Sequence, residues 1–154
     1  MSGTVQGFRR VTQIGIVVRS IEKSIEAWEK LLGVKASGIV ETEPLEKTGM
    51  KYKGRAAEGR AKLAFLQLEN IIIELIEPVG EPSTWRDFLQ KHGEGVHHIA
   101  FNVENMEHAK NSLREIGVEI DQEGAFTGGA YAYTNPESPL GIIIELLTHN
   151  SQLR

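Results

Sequence analysis

The sequence predicts an α+β fold in which two copies of a strand–helix–strands unit pair into one sheet. Three observations lead there. The stretch QIGIVV at 13–18, followed by a helical pattern ending at Gly33, returns as HIAFNV at 98–103, followed by a helical pattern ending at Gly117. NIIIELI at 70–76 returns as GIIIELL at 141–147. Apolar residues alternate with period two in the strand stretches and recur every three or four residues in the helical ones. A repeat is a stronger signal than any single motif, and pairing the copies is the economical way to bury both apolar faces. The repeats span about 11–78 and 96–148 of a 154-residue chain, a length that suits a single domain, 1–154, with its own core.

Residues 11–18 read as a strand with Ile14, Ile16 and Val18 on one face and Gln13, Gly15 and Val17 on the other. Ser20 is placed to cap a helix carrying Ile21, Ile25, Trp28 and Leu32, and Gly33 is suited to end it. Residues 38–60 are charged and turn-rich and predict an irregular strand with a mobile loop. Residues 62–68 and 71–77 form a hairpin about Asn70, stopped by Pro78 and Gly80. Residues 82–90 read as a short helix with Trp85, Phe88 and Leu89 on one side. Gly93 and Gly95 lead into a strand in which His98, Ala100 and Asn102 share one face. His97, Ile99, Phe101 and Val103 share the other, the core face. The second helix carries Met106, Ala109, Leu113 and Ile116. The glycines of residues 124–130 suit a turn or a close approach to a ligand, without a phosphate-binding signature.

Composition narrows the function classes. A net charge of -4 without a run of Lys or Arg argues against a nucleic-acid partner. With no cysteine there is neither a disulfide framework nor a thiolate metal site, so any metal ligand is N or O. No apolar run approaches the roughly 20 residues of a membrane span, and the first ten residues lack the apolar core of a signal peptide. The expectation is a soluble cytoplasmic protein with no membrane partner.

The polar residues inside apolar strands carry the functional argument. Glu74 and Glu145 interrupt equivalent apolar runs, each opposite a uniformly apolar face: Ile71, Ile73 and Leu75 in one copy, Ile142, Ile144 and Leu146 in the other. Those faces should pack on the helices, which sends both carboxylates to the other side of the sheet, where parity also puts Gln13 and His98. One Glu in such a strand ordinarily reaches solvent or a surface Lys. Buried carboxylates are costly unless paired or metal-bound, so two of them at repeat-equivalent positions, joined by an imidazole and an amide, outweigh coincidence.

At this point the residues resemble a family. The paired units and the four positions are similar to the vicinal-oxygen-chelate superfamily (glyoxalase/bleomycin resistance/dioxygenase) over about 11–148. FLQKHGEGVHHIAF at 88–101, with Glu58-Gly59, Ile73-Glu74-Leu75 and Pro78, resembles its methylmalonyl-CoA epimerases. The resemblance implies paired βαβββ modules whose eight-stranded mixed sheet curls around a metal held by Gln13, Glu74, His98 and Glu145. Three oxygens and one nitrogen suit a borderline divalent metal ion such as Co, Mn, Ni, Zn or Fe, six-coordinate with two positions open to adjacent substrate oxygens. It further implies a metal-dependent isomerase that takes a proton from an acyl-CoA, methylmalonyl-CoA first, through a metal-stabilised enolate, with Glu145 as the base. Members of the superfamily often form homodimers, the assembly expected here.

Two departures keep other functions open. Epimerases carry His where this chain has Gln13, and the set Gln, Glu, His, Glu resembles that of some lactoylglutathione lyases (glyoxalase I). The stretch 62–66 also lacks the carboxylate that some epimerases use as a second base. The alternatives are therefore a thiol-dependent lyase and a non-catalytic ligand-binding member of the fold. An extradiol dioxygenase, whose iron takes two His and one carboxylate, fits less well. His92, His97, His108 and His149 receive no role.

Overall fold

The computed structural model describes residues 8–150; residues 1–7, part of the stretch without a leader's apolar core, lie outside them. β1 (Gln13–Val17) leads through Ser20 into α1 (Ile21–Leu32). The Ser20 side chain accepts from Lys23 N, and Gly33 ends the helix in the left-handed conformation at φ 71. Next come β2 (Val40–Glu41), α2 (Leu45–Thr48), β3 (Lys51–Tyr52), β4 (Arg55–Ala56), β5 (Arg60–Gln67) and β6 (Ile72–Val79). Then follow α3 (Thr84–His92), β7 (Gly95–Asn102), α4 (Met106–Glu115), β8 (Ile120–Phe126), β9 (Gly129–Thr134) and β10 (Ile143–His149).

One mixed sheet runs β2-β5-β6-β1-β7-β10-β9-β8-β3-β4. At its centre β1 is parallel to β6 and antiparallel to β7, and β10 is parallel to β7. The sheet curls into a half-barrel. Its convex face is apolar, as the period-two patterns require. Val18, Leu66, Ile73 and Leu75 pack with Ile21, Ile25 and Trp28 of α1. Ile99, Phe101, Ile144 and Leu146 pack with Ala109 and Leu113 of α4. The concave face keeps a cluster of its own, including Val17, Met50, Ile76, Tyr133 and Ile143, closed by Trp85, Phe88 and Leu89 of α3.

The structure departs from expectation in several places. The sheet has ten strands among the described residues rather than eight, because residues 38–60 form more than an irregular strand and loop. β2 joins β5 at one edge, while the β3–β4 hairpin joins β8 at the other. This span therefore crosses from one edge of the curled sheet to the other. Pro78 does not stop β6: it pairs with Ala61. Val18 N donates to Ile76 O, so Pro78, two residues on, turns its N toward the side β1 has already left, where no donor is required. α3 starts at Thr84 and not at Pro82, because the Ser83 hydroxyl accepts from Arg86 N and caps it. Ile116 is 57% exposed at the end of α4, and Val118 takes its place in the apolar cluster.

Candidate metal centre

The ladder register decides which polar side chains meet. Glu74 on β6, Gly15 on β1 and His98 on β7 lie abreast, and Gln13, Ala100 and Glu145 lie abreast one step along. Residues paired across a ladder share a face, so Gln13, Glu74, His98 and Glu145 all project to the concave side. Gly15 has a role that the sequence pattern concealed. A Cβ built on it would lie 2.1 Å from His98 Cε1, 2.5 Å from Nδ1 and 2.6 Å from Nε2. The imidazole lies over the bare backbone of β1, and glycine there is what lets it reach toward Glu74 on the strand beyond.

His98 Nε2 is 3.3 Å from Glu74 Oε1 and 3.0 Å from Glu145 Oε1. Glu74, His98 and Glu145 are 5%, 0% and 4% exposed, and these three facing atoms have no hydrogen-bond partner. They stand at ion-pair distance without the directional geometry of a hydrogen bond. Buried polar atoms are rarely left in that state. The three ligand atoms lie within 4.8 Å of one another and could hold a metal ion. Two carboxylate oxygens and an imidazole nitrogen fit a divalent ion, and the two charges offset its own. Gln13 is half-buried and lines the same cavity as Glu74 and Glu145.

The electrostatics belong to a group wanting a cation. Burial pushes the His98 ring toward neutrality, but Glu145 and Glu74 outweigh it and raise its pKa to about 9. Burial raises the Glu74 carboxyl, and the charge of Glu145 adds to the rise, against the pull of His98. The two carboxylates thus favour the charged form of the ring.

The cavity above this group holds about 430 Å³, and its wall includes Met50, Leu63, Phe65, Trp85, Phe126, Tyr131, Tyr133 and Leu147. Trp85 Nε1 donates to the Tyr133 hydroxyl at 3.2 Å, and Gln122 Nε2 donates to the Tyr131 hydroxyl at 3.1 Å. Each phenol keeps its own proton to give, and burial raises both pKa values further from ionisation. Tyr133 pairs with Glu145 in the ladder, so the alternation Tyr131-Ala132-Tyr133 beside the GIIIELL strand was the signal that could have found them.

Two histidines lie elsewhere than expected. His149 is in β10, paired with Gly129, and its ring stands 5.8 Å from Phe126 on the cavity wall. His97 does not follow the alternation that would put it with Ile99. The β1–β7 register shifts between Gly15 and Ile16, opposite His97 and His98, and such a bulge breaks parity. It brings His97 Nδ1 to 2.9 Å from His98 Nδ1, with the His97 ring between Phe88 and Tyr133. Burial, and then His98, hold the pKa of His97 well below the usual histidine range.

Comparison with known proteins agrees with the architecture. Residues 12–133 match the Glyoxalase/Bleomycin resistance protein/Dioxygenase superfamily. The chain is 30% identical over 141 residues to the uncharacterized protein YqjC of Bacillus subtilis, covering 89% of this chain and 90% of that one. It is 28% identical over 142 residues to the ethylmalonyl-CoA/methylmalonyl-CoA epimerase of Cereibacter sphaeroides, covering 89% and 96%. The crystal structure of methylmalonyl-CoA epimerase from Mycobacterium tuberculosis superposes with a TM-score of 0.70 at 23% identity, over 99% of this chain and 95% of that one, a likeness of fold. On its matched length and its curled mixed sheet, this chain belongs to the Glyoxalase/Bleomycin resistance protein/Dioxygenase superfamily.

Proposed function

We propose that this protein is a metal-dependent isomerase that epimerises an acyl-CoA, with methylmalonyl-CoA the first candidate. Gln13, Glu74, His98 and Glu145 hold the ion, and Glu145 is the base. The observation that carries the reading is the buried Glu74–His98–Glu145 group, whose three facing atoms are unpartnered and whose two carboxylate residues line the cavity. The epimerase names of several relatives support the reaction class. When bound, a divalent ion such as Co, Mn, Ni, Zn or Fe supplies Lewis acidity that acidifies the C–H beside a carbonyl.

The chain's own groups do the rest. Glu74 and Glu145 offset the charge of the ion, so the dry site is not left strongly charged. The Glu145 carboxylate accepts the proton from carbon. Tyr131 and Tyr133, whose oxygens already accept from Gln122 and Trp85, give their hydroxyl protons to substrate oxygens. Met50, Phe65 and Trp85 keep water from the deprotonated carbon. β5 offers Leu63 and Phe65 to the cavity rather than a carboxylate, so with Glu145 as the one base, inversion requires the planar carbon to turn its other face to Glu145 before the proton returns.

A second reading, a lyase acting on a glutathione thiohemiacetal, is favoured by one residue: Gln13 stands where the epimerases have His. Deuterated water separates the two. Metal-loaded protein with methylmalonyl-CoA is expected to wash deuterium into the α-carbon. If none enters while the protein isomerises the glutathione adduct of methylglyoxal, the epimerase reading fails and the lyase replaces it.

A further inference from the structure

We propose that His97 is a positioning residue that fixes the tautomer of His98, keeping the proton on His98 Nδ1 and leaving Nε2 bare toward Glu74 and Glu145. The proposal builds on the metal-site reading above and adds a residue that touches neither the ion nor the cavity. The β-bulge is the structural reason: it takes His97 off the convex face, where strand alternation would put it, and sets its ring beside His98. Both rings are enclosed, at 1% and 0% exposure.

The bonding order follows from what each nitrogen can do. A neutral imidazole has one N–H and one bare nitrogen. His98 Nδ1 and His97 Nδ1 are 2.9 Å apart, so one carries a proton and the other accepts it. If His97 were the donor, the single proton of a neutral His98 would sit on Nε2, between two carboxylates, and would block the ligand atom. If His98 is the donor, Nε2 is bare and His97 must carry its own proton on Nε2. That nitrogen lies 3.2 Å from the Thr84 hydroxyl oxygen, which can accept its proton. Thr84 is itself fixed, because its backbone N donates to the buried Gln122 side chain at 2.8 Å. Of the two orders open to the chain of His98, His97 and Thr84, only the one that runs from His98 to Thr84 leaves His98 Nε2 bare for an ion. Partners of this kind behind a ligating histidine orient the ring and raise its basicity, and their loss costs about 10–100-fold in metal affinity.

The test reads the tautomers directly. Two-bond ¹H–¹⁵N spectra of the histidine rings are recorded on wild-type protein, metal-free and loaded with Zn²⁺. His97 protonated on Nε2 in both states, with His98 protonated on Nδ1 in the zinc form, is the expected result. A His97 proton on Nδ1 in either state overturns the proposal. Failure of the metal-site reading looks different: wild-type protein takes up no zinc, while the His97 assignment still stands or falls on the metal-free spectrum.

Variants extend the test to affinity. His97→Phe fills the space without an acceptor and is expected to weaken zinc binding about 10–100-fold. His97→Asn places a carbonyl oxygen near the position of Nδ1 and should restore affinity to within about threefold of wild type. A role in packing alone would favour Phe over Asn, so Phe binding as tightly as wild type, or Asn failing to rescue in folded protein, refutes the relay.

Discussion

Replacing Gly15 by alanine puts a methyl group where the His98 ring now lies. The nearest ring atom would be 2.1 Å from the new carbon, and ordinary contact begins at 3.4 Å. The ring must retreat by more than an ångström, yet it is walled in by His97 and Tyr133, with centroids 5.1 and 5.0 Å away. Over-packing of this size costs about 1–3 kcal/mol. For a chain of this length that is a fall in Tm of roughly 2–12 °C. The larger effect is on the site, because a displaced His98 no longer faces both carboxylates. Divalent-metal affinity should fall by more than the 10–100-fold that a supporting residue costs. Calorimetric titration with Co²⁺ and thermal unfolding in chelator measure the two effects separately. The double variant Gly15→Ala/His98→Ala, with no ring left to displace, should be no less stable than His98→Ala alone. Wild-type affinity and Tm in Gly15→Ala would refute the claim that the ring crosses β1 at this glycine.

Other outcomes follow from the same geometry. Glu74→Ala and His98→Ala should each weaken metal binding strongly, Gln13→Ala less because water replaces a neutral amide oxygen, and Gln13→His should be tolerated; titration ranking Gln13→Ala as the worst overturns this order. Glu145→Gln keeps an oxygen but no basic charge, so turnover and deuterium wash-in should fall about 10²–10⁴-fold while metal largely stays; exchange at the wild-type rate removes Glu145 as base. Metal-free protein should lose stability as pH rises. The His98 pKa is raised from 6.5 to about 9 in the fold, so its contribution, roughly 3 kcal/mol at most, is complete below pH 6.5 and gone above about 9. The raised Glu74 carboxyl adds a loss in the same direction from pH 4.5 upward. Urea unfolding in chelator at pH 6, 7.5 and 9 checks the slope, which His98→Ala should flatten.

What was legible in the sequence was whatever depends on local periodicity. Ile73 and Leu75 pack with α1, and Ile144 and Leu146 with α4, because alternation within one strand fixes which residues share a face. The same parity sent Gln13, Glu74, His98 and Glu145 to the opposite face, where the ladder also puts them. What was hidden depends on neighbours distant in sequence. The bulge that turns His97 is a mismatch between β1 and β7, and neither strand records it alone. Gly15 reads as an ordinary small residue until His98 is laid across it. His149 reads as a chain end, yet Gly129 on β9 pairs with it. The hairpin β3–β4 consists of two-residue strands held by β8, too short to leave a pattern.

The span from β2 to β3 sets an order of strengths around the cavity. Its two anchors, β2 on β5 and β3 on β8, are ladders of two residue pairs each, whereas β5 and β6 are joined over eight. Thr42, Glu43, Thr48 and Met50 of this span form part of the cavity wall. The span is thus held by short ladders and by the burial of Met50 in the concave cluster, whereas the strands that carry Glu74, His98 and Glu145 are held by long ladders on both sides. The residues that bound the entrance and those that carry the ligand atoms thereby sit on differently anchored parts of the sheet.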